Sequence, residues 1–122
     1  MPAVRLFPPD RFFDRSQWSA ITAVSRWRGV WLVAHAWFVS IALVGAAAWS
    51  QHPAAWLAAI IFVGGRQLGL AILMHDAAHG LLHPARKTNN FRGQWLTGAA
   101  VGSDLIAYRT YHLQHHKFTQ QA

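Results

Sequence analysis

From Val30 to Trp49 the sequence VWLVAHAWFVSIALVGAAAW runs for twenty residues without a charged side chain. As a helix rising ~1.5 Å per residue it is ~30 Å long, which is the hydrocarbon thickness of a bilayer. A second stretch, from about Ala54 to Met74, is again long enough to span. Between them Ser50, Gln51 and His52 form a short polar turn. Pro53 then falls in a first helical turn, where its missing N–H has no intrahelical partner to lose. The expected fold is therefore an all-α integral membrane protein whose centre is a two-helix transmembrane hairpin at about 30–49 and 54–74.

Composition supports a membrane over water: 53% of the 122 residues are hydrophobic and 12% are charged. Seven Trp and seven Phe, several beside the longest apolar runs, suit the headgroup interface. The alternative is a Trp-rich soluble core. The net charge of +7 does not point to nucleic acid, because the eleven basic residues flank the apolar segments and form no single stripe. Anionic lipid headgroups are the expected counterpart. Arg5, Arg11, Arg15, Arg26 and Arg28 precede the hairpin, Arg86, Lys87, Arg92, Arg109 and Lys117 follow it, and the turn between has no Lys or Arg, so both termini are expected on the cytoplasmic side. Arg and Asp with paired prolines in MPAVRLFPPDRFFDRSQW interrupt the apolar core a cleaved export signal needs.

Three segments result: a cytoplasmic or interfacial stretch at 1–29, the hairpin at 30–74, and a cytoplasmic histidine-bearing region at 75–122. Within the last, WLTGAAVGSDLIA at 95–107 is apolar but too short to cross, and it is expected to lie in the interface or fold back. Arg66 falls inside the second span, where a charge costs ~2.5 to 3.5 kcal/mol on insertion scales. Its readings are an intramembrane functional group, a snorkelling side chain, or a partner for another segment. Gly65 and Gly69 make a small-xxx-small pair suited to close helix packing.

With no cysteine, disulfides, zinc fingers, iron–sulfur ligation and thiolate haem are excluded. With no glutamate, H-E-x-x-H and Glu-x-x-His sites are excluded too. Any metal site must rest on the eight histidines. His75 and His79 in HDAAH share one helix face, ~40° apart. In HLQHH, His112 lies between its neighbours in projection, with His115 ~60° to one side and His116 ~40° to the other. The three imidazoles share a face yet diverge enough to reach two ions. Imidazole suits iron, copper, nickel and zinc alike, so spacing defines a transition-metal site and leaves the ion open. The competing reading is a set of solvated surface histidines.

HDAAHG after a membrane helix, followed by YRTYHLQHHKFT, resembles the first two histidine boxes of the membrane fatty acid desaturases, over roughly Arg66 to Thr119. The resemblance implies a di-iron centre and O₂ as co-substrate, with a lipid-borne fatty acyl chain losing two hydrogens to give a double bond and water. It implies that His75, His79, His112, His115 and His116 are iron ligands. His83 is read as a supporting or surface residue rather than a further ligand, since Pro84 disfavours helical geometry at it. Asp76 is a candidate to orient an imidazole, with a histidine from another box as partner because its direction differs by ~100° from that of His75. Asp104, Tyr108 and Arg109 are expected to mark the interface.

The family's third box, again H-x-x-H-H, does not occur here, so the chain reads as an incomplete, N-terminal part of the fold, expected to bind metal weakly and not to turn over alone. No flavin, nicotinamide or iron–sulfur motif is present, which calls for a separate ferredoxin-like or cytochrome-like electron donor. Related di-iron hydroxylases and ketolases share the pattern. An inactive two-helix metal-binding fragment and a membrane metal transporter are further alternatives, the last disfavoured because the histidines lie beyond the helix ends.

Overall fold

The computed structural model describes residues 11–118, and all regular structure among them is helical. The N-terminal prolines, Arg5 and the terminal TQQA lie outside the described residues. Helix α1 (Arg15–Thr22) opens on a reciprocal cap. Asp14 accepts the Gln17 N–H at 2.8 Å, and the Gln17 side chain accepts the Asp14 N–H at 3.0 Å. This helix buries nothing, leaving Trp18 and Ile21 exposed.

Helices α2 (Arg28–Ser50) and α3 (Pro53–Ala78) form the hairpin, and both are long and apolar enough to cross a membrane. Helix α2 begins two residues before the expected span because nothing at Arg28 or Gly29 breaks it. It stops at Gln51, which turns left-handed at φ 50°. The ring of His52 then accepts the Ala54 N–H at 3.2 Å, and Pro53 begins α3. Helix α3 continues four residues past Met74 and ends in a Schellman motif: Gly80 at φ 82° donates to Ala77 O and Leu81 donates to Asp76 O. The glycine of HDAAHG thus fixes where the helix stops, leaving His75 in its last turn and His79 at its cap.

The core gathers at this end of the hairpin. Val33 and Ala36 of α2 and Leu70, Leu73, Met74, Ala77 and Ala78 of α3 pack with Leu82 and Leu105. Toward the other end, Trp49, Ile60, Ile61, Phe62 and Leu68 point outward. Helices apolar on nearly every side need an apolar surround, such as lipid or further helices. Arg66 is half-buried there and its side chain hydrogen-bonds to no described residue, while the sides of Gly65 and Gly69 open onto empty space.

Beyond Leu82 the chain forms α4 (Arg86–Phe91), a π-helical segment (Arg92–Gly98), a 3-10 turn (Ala99–Val101) and α5 (Leu105–Phe118). The apolar stretch folds back on α3. Gly93 permits the approach, since a Cβ there would collide with Ala77 Cβ and lie 2.9 Å from Leu105 Cδ2. Trp37 of α2 donates its indole N–H to Leu96 O at 2.8 Å, fastening the π-helical segment to the hairpin. Gly102, at φ 67°, turns the chain into α5. Gln94 accepts the Leu105 N–H at 2.7 Å and Asp104 accepts the Ala107 N–H at 2.7 Å, so two side chains cap the helix that carries the second histidine box.

Candidate metal centre

The end of α3 and the middle of α5 meet through their histidines. Among the described residues, His75, His79, His112 and His116 each offer a ring nitrogen, and these atoms all lie within 4.8 Å of one another. His112 is central. Its Nε2 is 3.0 Å from His79 Nε2 and 2.9 Å from His116 Nε2, and its ring centroid is 4.6 Å from that of His75.

Chemistry distinguishes this cluster from ordinary polar packing. One imidazole nitrogen carries either one N–H or one lone pair, so His112 Nε2 cannot satisfy two nitrogen neighbours together. A cation can, because it accepts a lone pair from each ring. Two nitrogens ~2.1 Å from one ion and at right angles are ~3.0 Å apart, which is the spacing His112 makes with its neighbours. The pairs His112–His79 and His112–His116 therefore fit a transition metal in spacing and donor type, with His75 beside them as a fourth imidazole.

Electrostatics agree. Desolvation, followed by the neighbouring rings of His75 and His116, holds His79 below the ordinary histidine pKa. His112 is lowered too, first by desolvation and then by His116, His75, His79 and His115. Metal binding needs unprotonated imidazole, and each shift favours that form.

Two flanking groups orient the cluster. Asp76 Oδ1 stands 3.4 Å from His75 Nδ1, which leaves the other nitrogen of His75 for a metal. The carboxylate's partner is thus the adjacent histidine rather than one from the second box: at a helix end two consecutive side chains can bend toward each other despite their ~100° separation. Tyr108 stacks on His112, with centroids 5.1 Å apart and planes 11° off parallel.

His115 is placed differently from the other four expected ligands. It lies outside the four-nitrogen group and lines a shallow concavity with Tyr111, Gln114 and Phe118, its centroid 6.2 Å from that of His116. The i, i+4 pair His112 and His116 occupies the face that meets α3, and His115 falls on the flank. His83 stays in the loop after α3, where its Nδ1 accepts the Ala85 N–H at 2.9 Å.

Arg109 went unrecognised from sequence as part of the scaffold. It is buried, 7% exposed, and donates from Nε to Ala78 O at 2.9 Å and from Nη2 to Ala77 O at 2.9 Å and Asn90 Oδ1 at 2.7 Å. Its spacing, three residues before His112, was the available signal: it places the guanidinium near the cluster-facing side of α5.

An all-helical chain, with two histidine-bearing motifs joined at the end of a hairpin long enough to span a bilayer, defines a helical protein with a histidine-lined metal-binding geometry. Comparison with known families matches residues 51–122 to the one described as Fatty acid desaturase, and the chain belongs to that family. The match takes in α3, the π-helical segment, α5 and all five box histidines. Searches of curated proteins and of solved structures give no match.

Proposed function

We propose that the chain contributes to an iron-dependent, O₂-consuming desaturation of a lipid acyl chain within a membrane. The observation that carries this reading is the convergence of His75, His79, His112 and His116 in a protein of the fatty acid desaturase family. When bound, iron supplies the redox chemistry that activates O₂ and withdraws two hydrogens from the acyl chain, with two electrons from a separate ferredoxin-like or cytochrome-like donor completing the reduction of O₂ to water.

The chain's own residues do the holding and orienting. His112 forms the centre of the donor set, His79 and His116 flank it, and His75 is oriented by Asp76 through its Nδ1. His115 diverges from these four and serves a second ion. Five imidazoles are too few to complete the coordination of two ions, so the remaining ligands come from protein beyond these 122 residues.

Placement favours a lipid substrate. The histidines lie just past the apolar part of α3, so an acyl chain in the bilayer reaches the cluster while the donor approaches from water. Both termini lie on the cytoplasmic side, where the flanking Arg and Lys residues favour them.

The test is iron content and O₂-dependent acyl modification in membranes, for this chain and for a form supplied with a further H-x-x-H-H segment. About two irons per supplemented chain, with unsaturated lipid as product, is the expected result. Hydroxylated or ketonic product would assign the chain to the related oxygenases. Absence of iron from both forms would end the metal reading.

A further inference from the structure

We propose that Arg109 is the positioning residue that sets the second histidine box against the first. The inference rests on the metal reading above and adds a role for a side chain outside the histidine boxes.

Helix α3 ends with carbonyls directed away from its last turn, carrying the partial negative charge of a helix C-terminus. The Arg109 guanidinium from α5 is set against that end. Three hydrogen bonds engage it, two to the consecutive carbonyls Ala77 and Ala78 and one to Asn90. Asn89, 1% exposed, completes the arrangement by donating to Ala77 O at 2.8 Å and accepting the Leu82 N–H at 3.1 Å.

The carbonyls Arg109 grips are one and two residues before His79, and Arg109 itself lies three before His112. One rigid side chain therefore joins the backbone beneath one box to the helix that bears the other. A planar guanidinium fixes both the separation and the rotation of α5, whereas an ammonium group can fix only separation. Across the cluster, His79 and His112 are 3.0 Å apart, so a small rotation of α5 would open the donor set.

Among the described residues no acidic side chain partners Arg109; the α3 terminus and Asn90 supply its acceptors. Replacement by Lys keeps the charge but loses the fork, which makes it the informative variant. Replacement by Gln keeps a planar donor without the charge.

The experiment titrates Co²⁺ into the full 122-residue chain in detergent micelles, reading its visible absorption for wild type, Arg109→Lys, Arg109→Gln and the control Arg92→Lys. In parallel, spin labels on introduced cysteines, Ile72→Cys on α3 and Tyr111→Cys on α5, report the helix separation without metal. The chain has no cysteine of its own to interfere. Expected are unchanged helical circular dichroism, Co²⁺ affinity about tenfold or more weaker in both Arg109 variants, a widened distance distribution in both, and wild-type behaviour for Arg92→Lys.

Wild-type Co²⁺ affinity in the Arg109 variants overturns the proposal, as does weakened affinity with an unaltered distance distribution. Loss of helical signal in both variants also overturns it, by assigning Arg109 to folding alone. A wild-type chain that takes up no Co²⁺ removes the site that Arg109 is proposed to position and so overturns the proposal, while the metal reading still stands or falls on the iron content of the supplemented form.

Discussion

His112 shares its Nε2 with two other rings, and that crowding ranks the histidines by consequence. His112→Ala removes the donor common to the cluster and is expected to lower Co²⁺ or Fe²⁺ affinity by about 100-fold or more, beyond the 10- to 100-fold typical of losing a supporting partner. His115→Ala is expected to leave affinity at the first-filled site within about threefold, because its ring lies outside the four-nitrogen group. Equilibrium titration of both variants checks the ranking, and equal losses would refute the geometry. A second prediction concerns acid. His79 and His112 are held below the ordinary histidine value, so the unfolded chain takes up protons more readily at these sites than the folded one. The metal-free fold should keep its stability above pH ~6.5 and lose it as the pH falls below that value toward the lowered values of the two rings. Hydrogen exchange along α5 measured from pH 7.5 to 5 reads the effect, which bound metal should suppress.

At this scale the sequence named five candidate histidines, four of which converge, and left their partition open. The spacings of HDAAH and HLQHH place donors on helix faces, but which face of α5 meets α3 depends on packing around Leu105 and Ala77. Spacing could not reveal that His115 would fall on the flank. Nor could it reveal that Arg109 would be buried, since an arginine beside apolar residues reads equally as an interfacial charge.

Among the elements, the π-helical segment decides how closely the second box approaches the first. Its contact with α3 occurs at Gly93, where a side chain would overlap Ala77 and Leu105. Gly93→Val should cost ~1 to 3 kcal/mol by overpacking. The expected readout is a lower midpoint for loss of helical signal together with weaker metal binding, while Gly65→Val, which faces open space, should leave this chain's midpoint unchanged. An equal shift in both would refute the close approach at Gly93. The long helices were legible because uncharged runs of about twenty residues have few other uses. The π-helical segment was not, because an extra residue per turn leaves no distinctive apolar period. The small residues of the region, Gly93, Gly98 and Gly102, carry the fold-back: Gly93 meets Ala77 and Leu105, Gly98 approaches Met74, and Gly102 supplies a left-handed turn.

For the whole molecule, the contrast between its two ends is the informative feature. One end of the hairpin holds the buried cluster from Val33 to Leu105, and the other exposes large apolar side chains, with Trp49 93% exposed. The chain is therefore expected to remain in the membrane fraction after alkaline carbonate washing, with its Trp fluorescence quenched by brominated acyl chains. Release into the supernatant would contradict a spanning hairpin. Helix α3 is continuous over 26 residues, from Pro53 through the turn that bears His75. That is ~39 Å of rigid rod against a hydrocarbon slab ~30 Å thick. The bilayer accordingly acts as a ruler: a thicker membrane draws the cluster toward the headgroups and a thinner one lifts it or tilts the rod. On the proposed desaturase function, lipid thickness would thereby set how far along an acyl tail the cluster can reach.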